Sequence, residues 1–231
     1  MSEELLTSEY DSESFRVTAF VGDNRWKVNT YLVTTKRSQR SFLIDCGGTA
    51  EQLLTTLSGM STVIEFVLLT HGHFDHMSSA AALCEAFSVP CVVHPSDVRL
   101  LRQAPLYAFR FDGSQVSVPH AVVALDAPDA PDLSASGIRV LHTPGHTPGG
   151  VCYVVGRFFF SGDTLLREAV GRTDQPGGSR DDLTRSVDDL LGSVSDEGLI
   201  LPGHGKPWTA TAARLWWLAA AASPPVLDRF L

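Results

Sequence analysis

Four times along this chain, an apolar segment typical of a buried β-strand ends and a residue of a type that binds metal ions follows. The segment 63–70 is followed by His71, and the runs RVLHTPG, RFFFSG and LILPG are followed by His146, Asp163 and His204. In sheet proteins with helical flanks, functional groups converge in the loops beyond the strand ends while the core stays apolar. The pattern predicts an α/β fold with one polar site built from distant parts of the chain.

The rest of the sequence pattern favours the same fold class. Runs rich in β-branched and aromatic residues at 15–21, 28–34 and 41–45, separated by the polar turns GDNR and TKRSQR, predict an antiparallel meander. Further strands are expected at 90–94, 116–125, 137–142, 151–155, 157–161 and 198–201, and helices at 49–58, 77–87, 96–101, 179–191 and 208–222. Residues 102–115 resist assignment and suit either a substrate-facing loop or a local packing cluster. Two batches of strands interleaved with helices predict two sheets sandwiched between helical layers.

Length and composition favour one domain in a reducing compartment. The chain has 231 residues, of which 44% are hydrophobic, so it can bury one full core. We expect a flexible acidic N-terminus at 1–14 and a single folded domain at 15–231. The N-terminus lacks the basic region and apolar core of a signal peptide, and the four cysteines form no C-x-x-C pair. Reduced thiols and a cytoplasmic location are therefore expected.

The charge balance bears on the kind of partner. The formal net charge is −8 and the pI is about 5.4, whereas nonspecific affinity for nucleic acids comes mainly from clustered Lys and Arg. The apolar stretch LWWLAAAA at 215–222 is far shorter than the ~20 residues of a membrane span. We expect a small-molecule substrate, no nucleic-acid or membrane partner, and a monomer or homodimer.

The segment HGHFDH at 71–76 places four potential metal ligands within six residues, and Gly72 lets the backbone turn tightly between them. Imidazole and carboxylate suit a borderline divalent ion such as Zn²⁺, Fe²⁺ or Mn²⁺, and the absence of Cys argues against a structural thiolate zinc. The predicted ligands are His71, His73, Asp75, His76, His146, Asp163 and His204. Because seven ligands exceed the needs of one tetrahedral ion, we expect two divalent ions, with zinc favoured. Asp163 is the natural bridge, since one carboxylate can donate an oxygen to each ion.

The remaining histidines are expected to be ordinary structural groups. His94, His120 and His142 lie within or beside predicted strands, where a buried or half-buried imidazole usually bonds to nearby polar groups. Of the three, His94 is the one expected to line the cleft.

Four motifs occur together in this chain: T-H-G-H-F-D-H at 70–76, T-P-G-H-T-P-G at 143–149, S-G-D-T at 161–164 and P-G-H-G at 202–205. In this order and spacing they resemble the metallo-β-lactamase superfamily, and the resemblance covers Phe15 to about Pro207. It implies a single-domain α/β fold, the αββα four-layer sandwich, with the site at one edge.

The resemblance also divides the predicted ligands by position. Metal 1 would be held by His71, His73 and His146, metal 2 by Asp75, His76 and His204, and Asp163 would bridge them. Asp45, in the LID segment after the third strand, matches an acidic position that in the family supports the ligand loop from behind.

Within the superfamily, G-R-T-D at 171–174 followed by QPGG is similar to glyoxalase II-like thioesterases and to persulfide dioxygenases. Members that hydrolyse antibiotics do not usually place Asp at the position of Asp163, so the resemblance argues against a β-lactamase. Full-length glyoxalase II carries a helical C-terminal extension that supplies much of its glutathione-binding surface. This sequence is expected to lack that extension, which leaves the thiol part of the substrate open.

The leading hypothesis is hydrolysis of an acyl bond, in particular the thioester of an S-acyl thiol conjugate. Two divalent ions would activate water and polarise the carbonyl, and Asp75 would help to orient the nucleophile. Arg172 would hold a substrate carboxylate through its bidentate fork, with an internal Arg172–Asp174 salt bridge as the alternative. Tyr107, in the unassigned segment, is the second candidate for contact with substrate.

Two other activities remain open at this point. One Fe²⁺ held by His71, His146 and Asp163 would be the two-His, one-carboxylate triad of a persulfide dioxygenase. Hydrolysis of a lactone or of a phosphodiester, including RNA, would use the same core residues. Metal analysis combined with an oxygen-consumption assay would separate the oxidoreductase from the hydrolases.

Overall fold

A computed structural model describes residues 6–22 and 24–221 of the chain. Two compact units make up the chain, Met1–Pro131 and Asp132–Leu231, called here the N-unit and the C-unit. Each unit contains one β-sheet and its own helices, so the predicted α/β class with two sheets is confirmed. Within 6–22 and 24–221, none of the helices has the length and apolarity needed to cross a bilayer.

The sheet of the N-unit has seven strands that lie side by side in chain order. They are β1 (Leu6–Asp11), β2 (Phe15–Val21), β3 (Asn29–Thr35), β4 (Arg40–Ile44), β5 (Val63–Leu68), β6 (Cys91–Val93) and β7 (Val122–Ala124). Strands β1 to β4 pair antiparallel, which confirms the predicted meander, and β4 to β7 pair parallel. The parallel strands are connected by helices α1 (Ala50–Ser58), α2 (Ala80–Phe87) and α3 (Val98–Asp112).

Strand β1 corrects the prediction of a flexible N-terminus at 1–14. Leu6–Asp11 pairs with β2 along its whole length. Its sequence, LTSEYD, lacks an alternating apolar face. The strand forms nevertheless, because an edge strand can be held mainly by its backbone hydrogen bonds while its polar side chains stay exposed. An ion pair of 2.7 Å joins Asp11, the last residue of β1, to Lys36, which directly follows β3. Residues 1–5 lie outside the described part of the chain.

Helix α3 corrects the expectation that 102–115 is irregular, because the helix continues to Asp112. Its buried residues recur with helical spacing: Leu101, Ala104 and Ala108. The interior Pro105, which removes one backbone N–H, and several arginines obscure this stripe in the sequence. Gly113 ends the helix in the left-handed conformation, at φ 75°. The strand expected at 116–125 is reduced to β7.

The sheet of the C-unit has five strands in the order β12-β11-β10-β9-β8. They are β8 (Ile138–His142), β9 (Val151–Val155), β10 (Phe158–Gly162), β11 (Leu199–Pro202) and β12 (Trp208–Thr209). Strands β9 and β10 form the predicted hairpin, and β10 pairs parallel with β11. The helices are α4 (Arg180–Ser193) and α5 (Ala210–Ala221). The helix predicted at 208–222 therefore begins later than expected, because its first two residues pair with β11 as a short strand.

Helix α4 begins at a well-defined cap, where the hydroxyl of Ser179 accepts a hydrogen bond from the backbone N–H of Asp182. The apolar side of the helix is buried together with residues of β9, β10 and α5, and it includes Leu183, Val187 and Leu190. Full burial of one such side chain contributes roughly 1.5–3 kcal/mol. This packing fixes the first turn of α4, which lies beside one of the predicted metal ligands.

Candidate metal centre

The four predicted ligands of the N-unit lie together in the segment that follows β5. His71, Asp75 and His76 are buried and His73 is half-buried, with a short 3-10 turn at Phe74–His76. The ring centroid of His71 lies 4.7 Å from that of His73 and 4.1 Å from that of His76. Potential ligand atoms of His71 and His73, of His71 and His76, and of Asp75 and His76 lie within 4.8 Å of each other. We call residues 70–76 the ligand segment.

Asp45 holds the ligand segment from the neighbouring strand. Because β4 and β5 are parallel neighbours, their carboxyl ends meet at one edge of the sheet, and Asp45 directly follows β4. Its Oδ1 accepts the backbone N–H of Thr70 at 2.8 Å, and its Oδ2 accepts the Thr70 hydroxyl at 2.8 Å. The same Oδ2 lies 2.9 Å from Nδ1 of His76. Asp45 adopts φ 54°, a left-handed conformation that few side chains take up and that clusters at functional sites.

The C-unit brings its three predicted ligands together in a similar way. Asp163 follows β10 and His204 follows β11, and these strands are parallel neighbours. A hydrogen bond of 2.8 Å from the Gly203 N–H to the Gly162 carbonyl joins the two loops. Nε2 of His204 and Nε2 of His146 each lie 3.6 Å from the same oxygen, Oδ2 of Asp163. Two imidazoles therefore face one carboxylate oxygen.

The orientation of His146 is set by backbone groups. Its Nδ1 lies 2.7 Å from the carbonyl oxygen of Arg172, so Nδ1 carries the proton in this contact and Nε2 points to Asp163. Gly145 adopts φ 132°, and a Cβ added there would lie 2.2 Å from the backbone nitrogen of Leu183. The loop that carries His146 thus packs directly on the first turn of α4.

Gly171, the first residue of the G-R-T-D motif, packs against two of these predicted ligands, Asp163 and His146. Its N–H donates to the carbonyl of Asp163 at 2.8 Å. A Cβ added to Gly171 would lie 2.2 Å from that carbonyl oxygen and 2.8 Å from Nδ1 of His146. Only glycine allows this close approach, which gives a physical reason for the first residue of the motif.

The donor set fits divalent metal ions in both units. A tetrahedral ion with ligands at about 2.0–2.1 Å separates those ligands by roughly 3.3 Å. The two distances of 3.6 Å to Asp163, and the 3.8 Å between Nε2 of His76 and Oδ2 of Asp75, are of this order and are too long for hydrogen bonds. The donors are imidazole nitrogens and carboxylate oxygens, which suit Zn²⁺, Fe²⁺ and Mn²⁺.

Arg172 forms the internal salt bridge that was the alternative to substrate binding. Its Nε and Nη2 donate to the two carboxylate oxygens of Asp174 at 2.6 and 2.7 Å. The bidentate hydrogen bond from Arg172 lowers the pKa of the Asp174 carboxyl. Both side chains are substantially exposed, so the pair is open to exchange with solvent or with another anion.

Tyr107 lies on α3 rather than in a loop. It packs partly buried against the core of the N-unit, and its ring centroid lies 6.4 Å from that of Phe111. Phe111 is 43% exposed and stacks at 6.1 Å on Phe74, the residue between His73 and Asp75. A partly exposed aromatic row therefore reaches from α3 to the ligand segment.

Two of the other histidines, His94 and His142, contact nearby backbone groups. Nδ1 of His94 accepts the N–H of Ser96 at 3.3 Å, and Nε2 of His142 lies 2.9 Å from the carbonyl of Pro148. His120 is exposed. For His94 and His142, the expected structural roles agree with these contacts.

Sequence reasoning missed two residues whose hydrogen bonds help to hold the ligand segment, Thr70 within it and Asp97 outside it. Thr70 directly precedes the first ligand, and its backbone and hydroxyl both donate to Asp45. Asp97 accepts a hydrogen bond from Gly72. Its only signal was its place at the beginning of a helix, where aspartate is common for other reasons.

Comparisons with known proteins found similar sequences and folds over most of the chain. The sequence model described as metallo-beta-lactamase superfamily matches residues 23–204. An uncharacterized protein of Mycobacterium tuberculosis is 37% identical over 201 residues, which cover 80% of this chain and 89% of that protein. Hydroxyacylglutathione hydrolase GloC of Haemophilus influenzae is 32% identical over 168 residues, covering 71% of this chain and 79% of GloC. The crystal structure of TTHA1623 in a di-iron-bound form has a TM-score of 0.74 and 36% identity, and the match covers 83% of this chain and 94% of that one.

Proposed function

The chain belongs to the metallo-β-lactamase superfamily, and from this premise we propose that it is a dinuclear metal-dependent hydrolase of thioesters. Metal-dependent hydrolysis follows from the superfamily. The thioester is the finer part of the proposal, and its support is the similarity to GloC, which is named as a hydroxyacylglutathione hydrolase. The motif G-R-T-D at 171–174 is similar to glyoxalase II-like thioesterases and to persulfide dioxygenases alike, so it supports both of these branches.

We propose that the metal ions are held by the seven ligands predicted from the sequence. Members of the superfamily bind two divalent ions, and the seven proposed ligands are His71, His73, Asp75, His76, His146, Asp163 and His204. The observation that carries the proposal is the pair of imidazole nitrogens that face one carboxylate oxygen of Asp163 at 3.6 Å. TTHA1623 was crystallised in a di-iron-bound form, so iron stands beside zinc and manganese as a candidate ion.

When bound, such ions polarise a carbonyl group and make water a stronger acid near neutral pH. The chain's own residues orient the donors for this chemistry. Asp45 accepts the Nδ1 proton of His76, and the carbonyl of Arg172 accepts the Nδ1 proton of His146, so both imidazoles offer Nε2. We propose that one oxygen of the Asp75 carboxylate accepts a hydrogen bond from the attacking water. This contact orients the water, and the same oxygen then accepts its proton.

We propose that the acyl part of the substrate lies against the aromatic row formed by Tyr107, Phe111 and Phe74. The exposure of Phe111 supports this proposal, because its ring stacks on Phe74, which lies between His73 and Asp75 in the chain. Arg172 remains the proposed contact for a substrate carboxylate, and this contact requires exchange of its bond to Asp174.

The place of action is proposed from the cysteines. All four are unpaired thiols and all are buried, which supports a reducing compartment and hence the cytoplasm.

The test uses full-length protein purified without added metal. Elemental analysis and a substrate panel of thioester, lactone, phosphodiester and β-lactam are run on the same sample, together with oxygen consumption in the presence of a persulfide. We expect about two ions per chain and preferred turnover of the thioester. One iron per chain with oxygen uptake would replace this proposal with a persulfide dioxygenase, and preferred turnover of another ester would retain the metal site but reject the thioester.

A further inference from the structure

We propose that Asp97 is a positioning residue that holds the ligand segment in its metal-binding conformation. The proposal rests on the proposed function, because it requires that the histidines of this segment bind the ion. The carboxylate of Asp97 is fully buried, and its Oδ2 accepts the backbone N–H of Gly72 at 2.9 Å. Gly72 is the residue between His71 and His73.

The position of Asp97 in the chain suggests a role as the N-cap of α3, but its side chain does not make the capping hydrogen bond. It occupies the N-cap position of α3, where an aspartate normally accepts an N–H from the first turn of its own helix. In α3 the Asp97 side chain makes no such capping bond. Because burial of a carboxylate is costly unless it is hydrogen-bonded, the bond from the Gly72 N–H helps to stabilise this buried group.

The backbone of α3 also limits where the ligand segment can lie. A Cβ added to Gly72 would lie 2.9 Å from the carbonyl oxygen of Asp97 and 3.0 Å from the backbone nitrogen of Leu101. Both are main-chain atoms, which cannot move aside as a flexible side chain can. Gly72 is therefore pressed against the beginning of α3 while it donates to the Asp97 carboxylate.

His71 is consequently held from both sides along the chain. Asp45 accepts the N–H of Thr70, the residue before His71, and Asp97 accepts the N–H of Gly72, the residue after it. The two aspartates come from the ends of different elements, β4 and the turn before α3. The peptide units before Thr70 and after His71 are therefore both held by a carboxylate, which restricts the backbone that directs the His71 imidazole.

The role of Asp97 is tested by metal affinity rather than by activity. Zn²⁺ affinity of the full chain is measured by competition with a chromogenic chelator, and the absorption spectrum of the Co²⁺-loaded protein reports ligand geometry. The variants are Asp97→Ala, which removes the acceptor, and Asp97→Asn, which keeps the shape and one acceptor oxygen but removes the charge. Leu53→Ala in α1 is the stability control, since Leu53 is buried in the N-unit core and is not part of the ligand segment.

We expect Asp97→Ala to weaken Zn²⁺ binding by roughly 10–100-fold and to alter the Co²⁺ spectrum, as is typical when a partner behind the ligands is lost. Asp97→Asn should lie between Ala and wild type, and Leu53→Ala should bind metal as wild type does despite a lower unfolding midpoint. Unchanged affinity and spectrum in both Asp97 variants would overturn the inference. If Asp97→Ala does not fold, Asp97→Asn alone decides. A wild-type chain that binds no Zn²⁺ would instead reject the proposed function.

Discussion

Oδ2 of Asp45 lies 2.9 Å from Nδ1 of His76, and both side chains are almost completely buried, at 1% and 0% exposed. The contact joins the end of β4 to the last residue of the ligand segment. The same carboxylate also accepts two hydrogen bonds from Thr70, so one aspartate fixes both ends of the segment. A buried carboxylate with three donors is strongly constrained, which makes this contact the clearest target for mutation.

Replacement of Asp45 with Ala should weaken Zn²⁺ binding by roughly 10–100-fold, because the imidazole of His76 loses the partner that sets its protonated nitrogen. It should also lower the free energy of unfolding by about 1–3 kcal/mol for each buried donor left without an acceptor. Chelator competition and urea unfolding measure the two effects. Asp45→Asn is the control that retains one acceptor, and wild-type affinity in Asp45→Ala would show that the contact does not support the ligands.

Arg172→Ala should raise KM for a carboxylate-bearing thioester by about tenfold, since an exposed ion pair gained with substrate contributes on the order of 1 kcal/mol or somewhat more. Stability should change by less than about 1 kcal/mol, because the Arg172–Asp174 pair is exposed.

The matched control is Asp174→Ala, which removes the same salt bridge but leaves the guanidinium available to substrate. Steady-state kinetics on both variants distinguish the two roles. Binding of substrate by Arg172 predicts a higher KM in Arg172→Ala and an unchanged or lower KM in Asp174→Ala. Equal KM changes in both would assign the pair a structural role.

Gly171→Ala should damage the metal centre, because its Cβ would lie 2.2 Å from the Asp163 carbonyl and 2.8 Å from the His146 ring. We expect a loss of about 1–3 kcal/mol in stability from this overpacking and a lower metal content by elemental analysis. Gly192→Ala in α4 is the matched control, since beyond its chain neighbours and the adjoining backbone of its own helix no atom lies within 4 Å of the added Cβ. That change should stabilise the protein by about 0.5–1 kcal/mol, and similar behaviour of the two variants would contradict the close approach at Gly171.

The buried thiol of Cys152 predicts a dependence of stability on alkaline pH. Burial raises its pKa from 9.0 to about 11. Between these values the unfolded chain has lost the thiol proton and the folded chain keeps it, so unfolding releases a proton and stability falls as pH rises through this window. The loss is of the order of 2–3 kcal/mol by pH 11.

Urea unfolding at pH 8 and pH 10.5 measures the effect of Cys152. Cys152→Ala should show a smaller fall in stability between the two pH values than wild type, with the remaining fall arising from other groups, including Cys46 and Cys91, whose pKa values are also raised. An identical fall in wild type and Cys152→Ala would show that this thiol titrates normally in the fold.

The sequence predicted best those features that depend on residues close together along the chain. Alternating β-branched runs located β2 to β4, and the spacing in 71–76 identified four proposed ligands whose side chains lie close together, because each is a local pattern. Helix α3 was underestimated because Pro105 and several charged residues interrupt its apolar stripe. Strand β1 was missed because a polar edge strand carries no alternation.

Contacts between distant residues could not be predicted in this way. Asp97 meets Gly72 because β5 and β6 pair with Leu68 opposite Val92, which brings the segments after both strands to one edge of the sheet. No sequence periodicity specifies that register. A local pattern can also be ambiguous. Arg172 and Asp174 are oppositely charged and two positions apart, which suits a salt bridge and a substrate-binding site equally well.

The two aspartates behind the ligand segment have a practical consequence for work on the ions. Many small zinc proteins collapse when a chelator removes their metal, because the ion itself supplies the folding energy. Here the hydrogen bonds that hold the histidine backbone come from the N–H groups of Thr70 and Gly72, which are not metal ligands. We therefore expect the fold to survive chelation, so that zinc, iron and manganese can be exchanged in turn on one batch of protein and metal identity becomes a controlled experimental variable.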